Sequence, residues 1–155
     1  MAKGLKIEAT GLEAWNGAGQ VVFDAVKDAM DDIRDDFKDV SASLTPKKTG
    51  KLERSQYIRR YYKNLEKCYF TVSYKANNPN DGFDYATWTH DETYKLGDIS
   101  RTKKPARSRF ARGSLRVGKG YMTQVQESSQ EGWADFISKN IERKLSYSLK
   151  HKSRK

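Results

Sequence analysis

"SLTPKKTGKLERS", Ser43 to Ser55, divides the chain into a part that reads as helix and a part that reads as sheet. Pro46 has no amide hydrogen and biases Thr45 away from helical angles, so a helix arriving from the N-terminal side must finish near Leu44. Gly50 permits a positive φ, which makes "TPKKTG" a sharp corner. Beyond it the residues are mainly basic and aromatic.

Upstream of the corner, between Gly19 and Leu44, apolar residues fall at Val22, Val26, Ala29 or Met30, Ile33, Phe37, Val40 and Leu44. Spacings of three and four place them on one helical face. The other face carries Asp24, Asp28, Asp31, Asp32, Asp35, Asp36 and Asp39, relieved by Lys27, Arg34 and Lys38. Such a run is ordinarily the solvated side of a helix. Here Asp32, Asp35, Asp36 and Asp39 repel one another at i,i+3 and i,i+4 spacing, and a cationic neighbour would relieve them. The residues before this helix, 1–18, read as an N-terminal segment.

Downstream, "LERSQYIRRYYK" and "LEKCYFTVSYK" read as two antiparallel strands, with Asn64 at the hairpin turn. In the second, Cys68, Phe70, Val72 and Tyr74 alternate with Lys67, Tyr69, Thr71 and Ser73, the period of a half-buried strand. "ANNPNDG", residues 76–82, is a loop on its turn chemistry. In "FDYATWTHDETY", Phe83, Tyr85 and Trp88 are expected to be anchors. Residues 99–120 hold eight basic and no acidic residues without a convincing period, which predicts a long mobile arm. The last stretch carries Met122, Val125, Trp133, Phe136, Ile137, Ile141 and Leu145 on a helical stripe. Ser128 and Glu131 offer a capping box, predicting a short lead-in and then a main helix to about Ser148. A basic tail, 149–155, follows.

The expected fold is therefore α+β: a long N-terminal helix and a C-terminal helix packed on a small antiparallel sheet, with long loops. At 155 residues the chain is read as a single domain. A hydrophobic content of 36 % and a mean hydropathy of −0.91 are low, but three Trp, nine Tyr and six Phe supply large buried areas.

The net charge of +10 suits a nucleic-acid partner, an acidic surface, or solubility alone. Its distribution says more: residues 24–44 carry −4, 45–75 carry +7, 76–98 carry −4 and 99–120 carry +8. Blocks of alternating sign suit complementary surfaces on neighbouring copies. Cys68 is the only cysteine, so no intrachain disulfide can form and a reducing cytoplasm fits best. No window approaches the length of an apolar membrane span, and no membrane partner is expected.

No catalytic centre emerges from these residues. Only His90, His151 and Cys68 could supply imidazole or thiolate ligands, too few for a zinc site, so neither a metal nor another cofactor is expected. "HDE", His90 to Glu92, with Asp81 and Asp84 nearby, offers carboxylates for Mg²⁺ as a nuclease would use. No Lys stands at a recognisable nuclease spacing. Cys68 falls on the buried strand face, and neither a nucleophile elbow nor a Walker loop is present. Nucleic-acid binding has firmer support. Arg101, Lys103, Lys104, Arg107, Arg109, Arg112, Arg116 and Lys119 would attract phosphates, and "YIRRYYK" interleaves Arg59 and Arg60 with Tyr57, Tyr61 and Tyr62.

The order of motifs resembles a family. A long amphipathic helix, "TPKKTGKL", a strand pair, "YATWTHDE", a variable loop and "GKGYMTQVQESSQEGWADFISKNIERKL" look like the tailed-bacteriophage minor capsid or tail-component family, the small head-to-tail joining and tail-completion proteins. The likeness covers roughly residues 20–147. Pro46, Thr49, Gly50 and Leu52 match the corner; Tyr85, Ala86, His90 and Glu92 match the second motif; Gly120, Tyr121 and Met122 correspond loosely to a Gly followed by a bulky apolar pair. Asp91 interposes where the family tends to have Glu, and the 99–120 stretch is unusually basic for it.

The resemblance implies a non-enzymatic structural subunit that closes into a homo-oligomeric ring of six at the head–tail junction of the virion. It would be made in the host bacterial cytoplasm, contact the connector or head-completion protein and the tail-tube protein, and let DNA pass through its centre. On that reading Asp28, Asp32, Asp35 and Asp39 form an intersubunit face for the basic 99–120 segment of the next copy, since a heterologous contact closes a ring when its rotation divides a full turn. The alternative is a non-specific nucleic-acid-binding protein that uses the same basic arm.

Overall fold

A computed structural model describes residues 3–12 and 19–152. The architecture is α+β, with long N-terminal and C-terminal helices and a small antiparallel sheet. The basic tail lies partly outside the described residues, at 153–155, as do 1–2 and 13–18 of the N-terminal segment.

Helix α1 spans Gln20–Leu44 and buries the stripe that its spacing predicts, from Val22 through Ile33 and Phe37 to Leu44. Thr45 is extended at φ −65°, ψ 136°, as a residue before proline should be. The strand expected from Leu52 begins later: Lys51–Arg54 form one helical turn, α2, which buries Leu52, and β2 runs Gln56–Asn64. Asn64 accepts from the amides of Glu66 and Lys67 through Oδ1, closing the hairpin into β3, Lys67–Tyr74. Alternation in β3 is complete, with Cys68, Phe70, Val72 and Tyr74 buried against α1.

The sheet has a third strand. β1, Lys3–Glu8, pairs antiparallel with the far edge of β3, giving the order β1–β3–β2. Its Leu5 and Ile7 face the core while Gly4, Lys6 and Glu8 are exposed. Residues 3–8 of the N-terminal segment are thus part of the sheet, and they pair an edge of β3 that β2 alone would leave without backbone partners.

The last helix, α5, is continuous over Thr123–Lys152. The capping box does not form: Ser128 Oγ turns back to the carbonyl of Gln124, and Glu131 pairs with Arg112. α5 runs along α1, and Phe37 ties the layers together, its ring 6.3 Å from that of Phe70 on the sheet and 6.1 Å from that of Trp133 on α5. Gly132 sits mid-helix because the chain passes close over it; a Cβ there would lie 2.5 Å from the carbonyl oxygen of Phe110.

Candidate functional site

Two surfaces emerge from the residues that the sequence singles out. The first is the corner. α1 has no basic residue in its last turn, and its terminal carbonyls need donors. Lys103 supplies them: its ammonium donates to the carbonyls of Ala42 (3.0 Å) and Thr45 (2.8 Å) and pairs with Glu53 at 3.1 Å. A cation at a helix C-terminus also meets the negative end of the helix dipole. Gly118 donates its amide to the carbonyl of Leu44 at 2.8 Å. Gly50, at φ 75°, opens α2 in the left-handed region as the corner requires. Thr49 is exposed, and its Oγ1 accepts from the amide of Lys51.

The second motif packs onto this corner. Helix α3, Tyr85–Asp91, is capped by Asp84, whose carboxylate accepts from the amide and hydroxyl of Thr87. Ala86, Thr89 and His90 are buried, and Glu92 follows the helix, exposed. The expected anchors turn the other way: Phe83 is 47 %, Tyr85 36 % and Trp88 39 % exposed. Helical period places Tyr85 and Trp88 opposite the buried side, where Trp88 stacks on Tyr94 at 5.0 Å and approaches Phe83 and Tyr85 at 6.3 Å. Ile99, from α4 (Asp98–Thr102), is 56 % exposed beside them. Two open grooves of about 400 and 470 Å³ flank this ridge, sharing Pro46, Lys48 and Tyr85. The stretches "TPKKTGKL" and "YATWTHDE" therefore meet around one apolar, lysine-rimmed surface.

His90 and Cys68, which the sequence singles out, are both buried in the fold. His90 is 4 % exposed, with Nδ1 against Asp91 at 2.7 Å and its ring edge-on to Tyr121 at 4.9 Å. Burial holds its pKa below the ordinary 6.5, against the opposing effect of its hydrogen bond to the Asp91 carboxylate. Among the described residues no three His, Cys, Asp or Glu converge to hold a metal ion. Burial pushes the Cys68 thiol up to about 11, away from nucleophilic use.

The second surface is the one expected between the acidic helix and the basic arm, and here the structure corrects the sequence reading. Residues 103–120 are not a free arm; they form a strap across α1 and α5. Ser108 Oγ and the amide of Arg109 donate to Asp36 at 2.6 and 2.8 Å, and Ala106 donates its amide to Ser43. Phe110 is buried against Phe136, with ring centroids 5.0 Å apart. The amide of Arg112 donates to the carbonyl of Ser128, and that of Arg116 to Gln124.

The predicted cations divide accordingly. Arg101 pairs with Asp98, Lys103 with Glu53, Arg112 with Glu131 and Arg109, at 4.0 Å, with Asp32, while Lys119 reaches Thr93. Lys104, Arg107 and Arg116 are exposed. The predicted acidic face is likewise met from within its own chain: Asp28 pairs with Lys144 and Asp35 with Arg34, leaving Asp39 exposed. Asp31 meets both Arg34 and, from β2, Arg60. Within the chain, Asp28, Asp31, Asp32 and Asp35 thus have cationic partners, and Asp39 has none among the described residues.

Comparisons of the chain with family models, with curated proteins and with solved structures return no match.

Proposed function

We propose that the chain is a non-enzymatic assembly subunit of a tailed-phage particle, acting at the head–tail junction as a ring-forming tail-completion, head-to-tail joining or minor capsid protein. One observation carries the reading. The two short motifs behind the family resemblance lie together around a surface that leaves Phe83, Tyr85, Trp88 and Ile99 exposed. Aromatic residues on a rimmed apolar patch are what protein interfaces use as anchors. The strap and α1 meet each other within one chain, so the corner groove replaces the acidic face of α1 as the proposed contact between copies, with the connector and tail-tube proteins as further partners. A ring of six around a DNA channel is what the resemblance implies. No described helix is long and apolar enough to cross a membrane.

Sedimentation and negative-stain microscopy at rising concentration, with and without the connector and tail-tube proteins, test this. The wild type is expected to form closed oligomers or a stable complex with one of them. Trp88→Ala with Ile99→Ala should weaken that association at least about tenfold, since truncating interface anchors costs ~2 kcal/mol or more. Persistent monomers that bind neither neighbour would count decisively against it.

A further inference from the structure

The outer face of the sheet is a third surface, and no part of the assembly reading uses it. Across β1, β3 and β2 its rows are Gly4–Ser73–Tyr57, Lys6–Thr71–Arg59 and Glu8–Tyr69–Tyr61. Lys6, Tyr57 and Arg59 are exposed, and Lys63 and Lys67 add exposed cations at the hairpin end. The only carboxylate in these rows is Glu8, which pairs with Lys6 at 2.9 Å. Among the described residues no carboxylate pairs with Arg59, Lys63 or Lys67. Arg59 instead donates to the hydroxyl of Tyr57 at 2.9 Å, its guanidinium 5.2 Å from that ring's centre.

We infer that this face binds the phosphate backbone of a nucleic-acid duplex without regard to sequence. Three features select that partner. Arg59 and Lys63 are four residues apart, roughly 13 Å along the strand, and Lys6 and Arg59 are two strands apart, roughly 10 Å. A patch of that size meets several phosphates of one strand, since a duplex strand presents one charge per ~3.4 Å of axis. The apolar side chains of these strands lie on the inner side, so the face lacks the aliphatic anchors that the corner groove offers a protein. The rings are also already engaged: Tyr69 stacks on Tyr61 at 4.8 Å and carries Lys6 over it at 4.1 Å. What remains is a field of hydroxyls and cations, donors for phosphate oxygens, with few open ring faces for the splayed bases of a single strand. The face needs no ring to act, and would bind a duplex as a monomer.

Fluorescence anisotropy with a short mixed-sequence DNA duplex, from about 50 to 200 mM salt, tests this on the full chain. Arg59→Glu with Lys63→Glu should weaken binding at least about tenfold and make the log–log salt slope shallower by about two. Lys104→Glu with Arg107→Glu, on the strap, should change affinity less than about twofold, with circular dichroism reporting the fold of each variant. Four results would overturn the inference: no duplex binding at the lowest salt, loss with the strap variant but not the sheet variant, equal competition by polyglutamate at matched charge, or tighter binding of a single strand that Tyr57→Ala abolishes. The third would assign the face to an acidic protein, and the fourth to unpaired bases. Because the corner is untouched in these variants, oligomer formation can fail or persist independently.

Discussion

The strap at 103–120 and the outer face of β2 are both rich in cations and poor in carboxylates, yet the fold treats them oppositely. The strap places Lys103 on the carbonyls that end α1, Arg109 near Asp32 and Arg112 on Glu131. On β2, Arg59 and Lys63 stay exposed with no carboxylate partner among the described residues. A charge run therefore reports its partner only once the geometry is known: the strap meets Asp32 and Asp36 of α1 and Glu131 of α5, while the sheet's outer rows contain one acid.

The contrast is broken most severely at Phe110, the strap's buried anchor. Truncating a buried Phe costs about 3–5 kcal/mol, and a residue at the edge of the core belongs at the lower end. Phe110→Ala is expected to lower stability by about 3 kcal/mol in urea unfolding, whereas Arg59→Ala, on the open face, should stay within about 0.5 kcal/mol. Equal effects at the two positions would mean that the strap is not packed in solution.

Lys103→Met probes the polar half of the same attachment. It leaves the α1 carbonyls of Ala42 and Thr45 without the ammonium and leaves Glu53 without its cation, while the methionine stem can retain most of the packing. A loss of about 1–3 kcal/mol is expected, because carbonyls that stay partly buried lose a charged donor. Unchanged stability would show that water replaces Lys103 at no cost, and would reduce the strap to its hydrophobic contact.

Much of this was legible in the residues, and the omissions have physical reasons. α1 and β3 each repeat one period over their whole length, so Val22 to Leu44 and Cys68 to Tyr74 place themselves. β1 carries the same alternation in Leu5, Lys6, Ile7 and Glu8, but over too few residues to stand out from an N-terminal segment. Ser128 and Glu131 have the spacing of a capping box and take other partners, since a spacing cannot say that Arg112 lies within reach. The two motifs of the candidate site are readable, and so is a corner at Pro46. That Trp88 faces outward is not: it depends on α3 presenting Ala86, Thr89 and His90 to the core, which local sequence leaves open. The strap was the least legible part, being held by hydrogen bonds and one aromatic ring without any period.

The smallest expected effect lies where the strap ends. Gly120 donates its amide to the carbonyl of His90 at 2.8 Å, and Tyr121 packs its ring against the imidazole. The groups around that imidazole are Asp91 on its own helix and Lys3 from β1, themselves paired at 2.9 Å. Burial is the largest influence on His90 and lowers its pKa; the hydrogen bond to Asp91 raises it, and Lys3 lowers it further. Unfolded, the same histidine protonates near 6.5. As pH falls through that value the unfolded chain takes up a proton that the folded chain resists, so stability must decline on the acid side and level off above about pH 7. Asp91, held below its usual 3.8 chiefly by His90, loses its contribution only at much lower pH and does not obscure this window. The melting temperature should therefore fall between pH 7 and pH 5 for the wild type, and change much less for His90→Asn. An unchanged acid slope in His90→Asn would place the titration elsewhere. It would also free the corner from any dependence on the protonation of its buried histidine, leaving the two basic regions to differ by geometry alone.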